Sequence, residues 1–86
     1  MELNNNIQKA IEMIEHHDWN WRMADYGYEW RYNSAKADMK AFVKFVRSIE
    51  VADVRETLRN MWTLVFYSKM DEYRTRKAEL LNAYAA

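Results

Sequence analysis

The chain has no proline and a single glycine, Gly27, in 86 residues. Proline removes a backbone donor and clashes with the preceding turn of a helix, and glycine costs about 1 kcal/mol there relative to alanine. With both nearly absent, little in the sequence stops a helix. The reading is all-α. No internal repeat, low-complexity tract or linker divides the chain, so residues 1–86 read as a single helical domain. Half of the residues are hydrophobic. That permits a core at a length where about 60–65% of the unfolded surface is buried on folding.

The first segment places Leu3, Ile7, Ala10, Ile11 and Ile14 at helical spacing. Asn4 to Asn6 are candidate caps, and this helix is predicted to run to about His16. Asp18 to Asn33 then holds six of the thirteen aromatics: Trp19, Trp21, Tyr26, Tyr28, Trp30 and Tyr32. Tyr26, Tyr28, Trp30 and Tyr32 alternate with Gly27, Glu29 and Arg31, the period of a strand, so a hairpin turning at residues 24–27 is one reading. A helix accounts for more. At about 100° per residue, Trp19, Met23, Tyr26 and Trp30 form one stripe. Trp21, Ala24, Tyr28 and Tyr32 form a second, which continues in phase into Ala35, Met39, Phe42, Val46 and Ile49. One helix from about Asp18 to Ile49 follows, about 45 Å long, in which Gly27 marks a bend or a close approach.

The last helix opens at Asp53 with Glu56, a pattern close to a capping box. Its apolar positions are Val54, Leu58, Met61, Trp62, Val65, Phe66, Met70, Tyr73, Leu80, Leu81 and Tyr84. It reads as continuous to about residue 83, or as broken near residues 68–71, where Ser68 or Asp71 is able to cap a new helix. The expected fold is a small three-helix arrangement, with a short N-terminal helix and two long antiparallel helices.

Chemistry is scarce. There is no cysteine, which removes disulfides, thiolate metal ligands and thiol nucleophiles. Consecutive His16, His17 and Asp18 point about 100° apart on a helix and do not chelate jointly. They read as solvent-exposed residues at a helix end. One glycine builds no phosphate loop, and Ser34, Ser48 and Ser68 lie in no nucleophile motif. Glu12 with Glu15, and Asp25 with Glu29, share helix faces as solvated surfaces commonly do. The expectation is no enzyme, no cofactor and no metal. No apolar run spans a bilayer and no leader is apparent, so a cytoplasmic protein without membrane contact is expected.

Formal net charge is zero, but it is unevenly placed. Residues 1–29 carry two basic and six acidic groups, and residues 30–86 carry eleven basic and seven acidic. Lys36, Lys40, Lys44 and Arg47 fall within about 80° on one helix face, a stripe able to follow a phosphate backbone. The plainer reading is the charged outer face of an amphipathic helix.

The run Asp18-Trp19-Asn20-Trp21-Arg22-Met23-Ala24-Asp25, followed by Tyr26, Trp30 and a lysine-bearing helix, resembles small uncharacterised proteins of bacteriophages and bacterial mobile elements. In those, an aromatic-Met-(Ala/Ser)-Asp segment precedes a charged helix. The resemblance covers residues 18–46. It departs at Tyr26, where the pattern often has a second acidic residue. It implies no catalytic residue, only a setting in which short proteins act by binding, for instance as inhibitors of a host system.

The functional expectation is therefore a non-enzymatic helical binding protein that contacts a protein partner. Tryptophan, tyrosine and methionine are enriched at protein interfaces. This singles out Trp19, Met23, Tyr26 and Trp30, with Leu64 and Tyr67, which fall off the main stripe of the last helix. The alternatives are a nucleic-acid-associated accessory protein using Lys36, Lys40, Lys44 and Arg47, and a structural homodimer.

Overall fold

A computed structural model describes residues 2–25, 27 and 29–84. It describes their side chains except those of Asn20, Trp21, Met23, Ala24, Asp25, Glu29, Arg31 and Tyr32. The fold is all-α. Among the described residues there are four helices, α1 (Glu2–Asp25), α2 (Glu29–Arg47), α3 (Ala52–Phe66) and α4 (Met70–Tyr84), and no strand.

The expected three-helix arrangement is corrected in two places. The first helix is the longest, with 24 residues, and does not end at His16. It starts at Glu2, so Asn4 to Asn6 lie inside its opening turns rather than capping it. The chain breaks instead at Gly27, whose φ is 91°. That backbone conformation is one that residues with a Cβ avoid and glycine adopts readily. The continuous helix from Asp18 to Ile49 is thus two helices, and the strand hairpin is replaced by a helical one.

The second correction lies between α3 and α4, where the break that the sequence allowed at residues 68–71 is present. Ser68 takes a left-handed conformation, φ 58°. Lys69 N–H donates to the Leu64 carbonyl at 2.8 Å, and Ser68 N–H to the Val65 carbonyl at 3.0 Å. This pair of bonds is the Schellman ending of a helix. Ser68 therefore closes α3 rather than capping α4. At the other end of α3, the predicted capping box is absent. The N-cap is Val51, extended and without a side-chain cap. There the Arg55 guanidinium donates to the Ile49 carbonyl, while the Val51 carbonyl accepts the Arg55 N–H at 3.1 Å. Asp53 sits in the first turn, where a negative charge favours the helix dipole.

The register of α1 on α2 follows from two contacts. Lys9 Nζ lies 4.9 Å from the Phe45 ring centroid, and His16 Nε2 lies 3.7 Å from Asp38 Oδ2. Each pair is equidistant in sequence from Gly27, so the helices run antiparallel about that turn. Phe42 of α2 stacks on Trp62 of α3 at 4.4 Å, and His17 of α1 stacks on the same indole at 3.9 Å. Trp62 therefore joins three helices. The core beneath it is Ile7, Ala10, Ile11 and Ile14 of α1; Phe42, Val46 and Ile49; and Val54, Leu58, Met61 and Val65 of α3. These are the apolar positions that helical spacing identified.

α4 is attached more lightly. Only Tyr73 and Leu80 of it are buried. Between them in sequence, Lys77 donates to Glu15 Oε2 at 2.7 Å, and the Tyr73 hydroxyl donates to the same oxygen at 2.8 Å. Burial pushes the Glu15 carboxyl up, but these two hydrogen bonds and the Lys77 charge outweigh it and hold it below its ordinary value. Burial and the Glu15 carboxylate push the Tyr73 phenol well above its ordinary value, so it remains a donor.

His17 corrects the reading of two exposed histidines. His16 is exposed, but His17 is buried, with 3% of its surface accessible. Because α1 continues past residue 16, His17 extends the Ile7–Ala10–Ile14 row by one more turn and enters the core. Burial pushes its imidazole below the ordinary value, opposed in part by the charge of Asp38, the backbone of Ala35 and the charge of Asp18.

Candidate functional site

Three of the aromatic candidates, Trp19, Trp30 and Tyr67, gather toward one end of the bundle. α1 rises to Gly27 and α2 descends from it. The stacking of Trp62 on His17 and the bonds from Tyr73 and Lys77 to Glu15 set the α3–α4 turn near the C-terminal part of α1. The Gly27 turn and the Tyr67–Lys69 turn therefore lie toward the same end.

Three of the six partner-binding candidates are exposed there. Trp19 is 45% accessible, Trp30 55% and Tyr67 66%. Trp19 stands on the outer side of α1, its ring 6.3 Å from that of His16 and nearly parallel to it. Tyr67 meets Phe66 edge to face at 5.2 Å. Met23 and Tyr26, and the second stripe of Trp21, Tyr28 and Tyr32, lie outside the described side chains.

Leu64 does not belong to this surface. It is 8% accessible and part of the core. The reason is the break at Ser68. A continuous last helix would leave the Leu64 flank uncovered, whereas α4, folded back on α3, covers it. Conversely, Met39 and Phe66, expected on core stripes, are exposed, as is Val43.

Lys36, Lys40, Lys44 and Arg47 are all exposed on α2. Among the described residues none of the ion pairs involves Lys40, Lys44 or Arg47. Of the acidic groups of α1, Glu15 is held by Lys77, and Asp18 by Arg22 at 3.0 Å.

An open groove of about 280 Å³ runs between α1 and α2, lined by Lys9, Glu12, Met13, His16 and Asp38. It contains no nucleophile beside a base. Among the described residues no group of three or more His, Asp or Glu side chains is placed to hold a metal ion. None of the helices there is long and apolar enough to cross a membrane. Compared with protein-family models, with curated proteins and with solved structures, the chain matches none.

Proposed function

We propose that this is a small non-enzymatic binding protein that works through protein–protein contacts, using Trp19 and Trp30 with Tyr67. The observation that carries this reading is the exposure of two tryptophans and a tyrosine toward one end of a bundle whose core is filled by other residues. Tryptophan and tyrosine supply large contact area and dominate binding energy when a partner desolvates them. With the resemblance of residues 18–46 to phage and mobile-element proteins, we read the partner as a component of a bacterial host system, met in the cytoplasm, and the protein as its inhibitor.

The test is the double variant Trp19→Ala, Trp30→Ala. Substitutions at exposed positions change stability by about 0.5 kcal/mol or less. The variant is expected to stay folded and to lose a stoichiometric partner that wild type retains after nuclease treatment. A loss of several kcal/mol, or undiminished capture, defeats the reading.

A second reading, a nucleic-acid-associated protein, is favoured by the exposure of Lys36, Lys40, Lys44 and Arg47 on one face. It requires binding that weakens steeply with salt and is lost in Lys40→Glu with Lys44→Glu. A structural homodimer requires twice the monomer mass in light scattering.

A further inference from the structure

The flank of α2 turned away from α1 carries a feature that the tryptophan surface does not use. Asp38 and Phe45 face α1, and Phe42 faces Trp62 of α3. At about 100° per residue, Met39 and Val43 follow on the side of Phe42 opposite to Asp38 and Phe45, along the seam with α3. On α3, Phe66 lies one turn beyond Trp62, and Arg59 on the same flank one turn before Thr63, whose hydroxyl donates to its carbonyl. Because the Phe42–Trp62 stack fixes the register of two antiparallel helices, Met39 comes about level with Phe66, and Arg59 comes between the levels of Val43 and Arg47. Met39, Val43 and Phe66 are all exposed.

The α2 edge of this apolar strip is cationic, and on the α3 edge Arg59 stands one turn from the exposed Glu56. Lys40 and Arg47 border it on α2, and Arg59 on α3. All three are exposed, and none takes part in an ion pair among the described residues. α2 carries five basic groups against two acidic over Glu29–Arg47, and one of those acids, Asp38, faces α1.

We propose that the α2–α3 seam docks an acidic amphipathic helix of a partner protein. Its apolar stripe would cover Met39, Val43 and Phe66, and its flanking carboxylates would face Lys40, Arg47 and Arg59. Charge complementarity chooses the occupant. A second copy brings the same cations against these, and like charges across an interface cost affinity. A phosphate backbone satisfies the cations but leaves the apolar strip uncovered. The helix-in-groove mode uses both features, with apolar anchors at i, i+3, i+4 and i+7. This site adjoins Tyr67, which meets Phe66 edge to face, but uses neither Trp19 nor Trp30, so the tryptophan variants distinguish failure of one proposal from failure of the other.

The experiment titrates the full-length protein with a fluorescein-labelled model peptide, with leucine at i, i+3, i+4 and i+7 and glutamate on both flanks. The comparators are the same peptide with lysine for glutamate, a duplex DNA oligonucleotide, and phosphatidylcholine–phosphatidylserine vesicles. The expected result is binding of the glutamate peptide alone, weakened about tenfold or more by Lys40→Glu with Arg47→Glu, a loss of about 1.4 kcal/mol or more. The same binding is expected to fall with Val43→Asp and to be unchanged in Trp19→Ala, Trp30→Ala. Far-ultraviolet circular dichroism establishes that each variant is folded. Equal binding of the lysine peptide, binding indifferent to the charge reversal, or preference for DNA or vesicles each overturns the proposal. Absence of peptide binding overturns it as well and leaves the tryptophan surface untouched.

Discussion

The α1–α2 hairpin turns at Gly27, φ 91°, and the α3–α4 hairpin turns at Ser68, φ 58°. Both reversals use a left-handed residue, but the two are supported differently. At Gly27 the chain relies on the absence of a Cβ; an added one would meet nothing within 4 Å, so the requirement there is purely one of backbone conformation. At Ser68 the conformation is unfavourable for the residue, and the bonds from Ser68 and Lys69 to the end of α3 offset it. The first turn holds open an end where Trp19 and Trp30 stay exposed. The second folds α4 down so that Leu64, Tyr73 and Leu80 are buried. Both turns leave aromatic rings exposed beside them, Trp30 at one and Phe66 and Tyr67 at the other, but the second also buries apolar side chains of the helices that it joins.

The sharpest way to break this contrast is at the residue that ties the hairpins together. Trp62→Ala removes the indole between Phe42 and His17 and is expected to cost about 3–5 kcal/mol, as large aromatic truncations in cores do. Trp19→Ala, on an exposed face, is expected to cost about 0.5 kcal/mol or less. Urea unfolding of the two variants decides it. Equal losses would mean that Trp19 is as structural as Trp62.

The turns come next. Gly27→Ala is expected to destabilise by about 1–2 kcal/mol, the cost of placing a Cβ in a left-handed conformation. Ser68→Gly is expected to stabilise by about 0.5–1 kcal/mol, since relief of that cost exceeds the entropy glycine adds to the unfolded chain. Opposite signs in thermal or chemical unfolding sharpen the comparison. A neutral Gly27→Ala would show that the α1–α2 reversal does not depend on glycine.

The sequence was legible where one face meets one core. Ile7, Ala10, Ile11 and Ile14, and Val54, Leu58, Met61 and Val65, follow helical spacing and are buried. It misled where phase survives a break. The stripe from Trp21 through Tyr32 to Ile49 keeps its period across Gly27, and periodicity carries no information about whether the chain reverses between two helices in step. Glycine's roughly 1 kcal/mol cost within a helix is small beside that continuity, and its freedom at positive φ is the stronger signal. Leu64 and His17 are buried, against the sequence expectation, for a related reason. Each side chain's burial is decided by a helix end elsewhere, at Ser68 for one and at Asp25 for the other. On the candidate surface, the identities of Trp19, Trp30 and Tyr67 were readable. The exposure of Met39, Val43 and Phe66 depends on how α2 and α3 pair, which one-dimensional spacing does not contain.

The smallest effect at neutral pH, and the one that separates the hairpins by titration, involves His17 and Glu15. His17 has a lowered pKa in the folded chain, so between the folded and ordinary values the unfolded chain binds the proton and the folded one does not. Its contribution is complete above its ordinary value of 6.5 and is lost as pH falls below that, because stability declines wherever the unfolded state holds more protons. Glu15 also has a lowered folded pKa, so its contribution is complete above 4.5 and lost as pH falls further. Stability measured against pH should therefore fall in two windows, the first belonging to the α1–α2–α3 junction and the second to the attachment of α4. His17→Phe, which keeps an aromatic ring against Trp62, should flatten the first window and leave the second. Glu15→Gln should do the reverse and cost less than about 1 kcal/mol at pH 7, since the pair with Lys77 is half-exposed and screened by solvent. Were His17→Phe to leave the upper window unchanged, the acid sensitivity there would have to come from groups outside this stack.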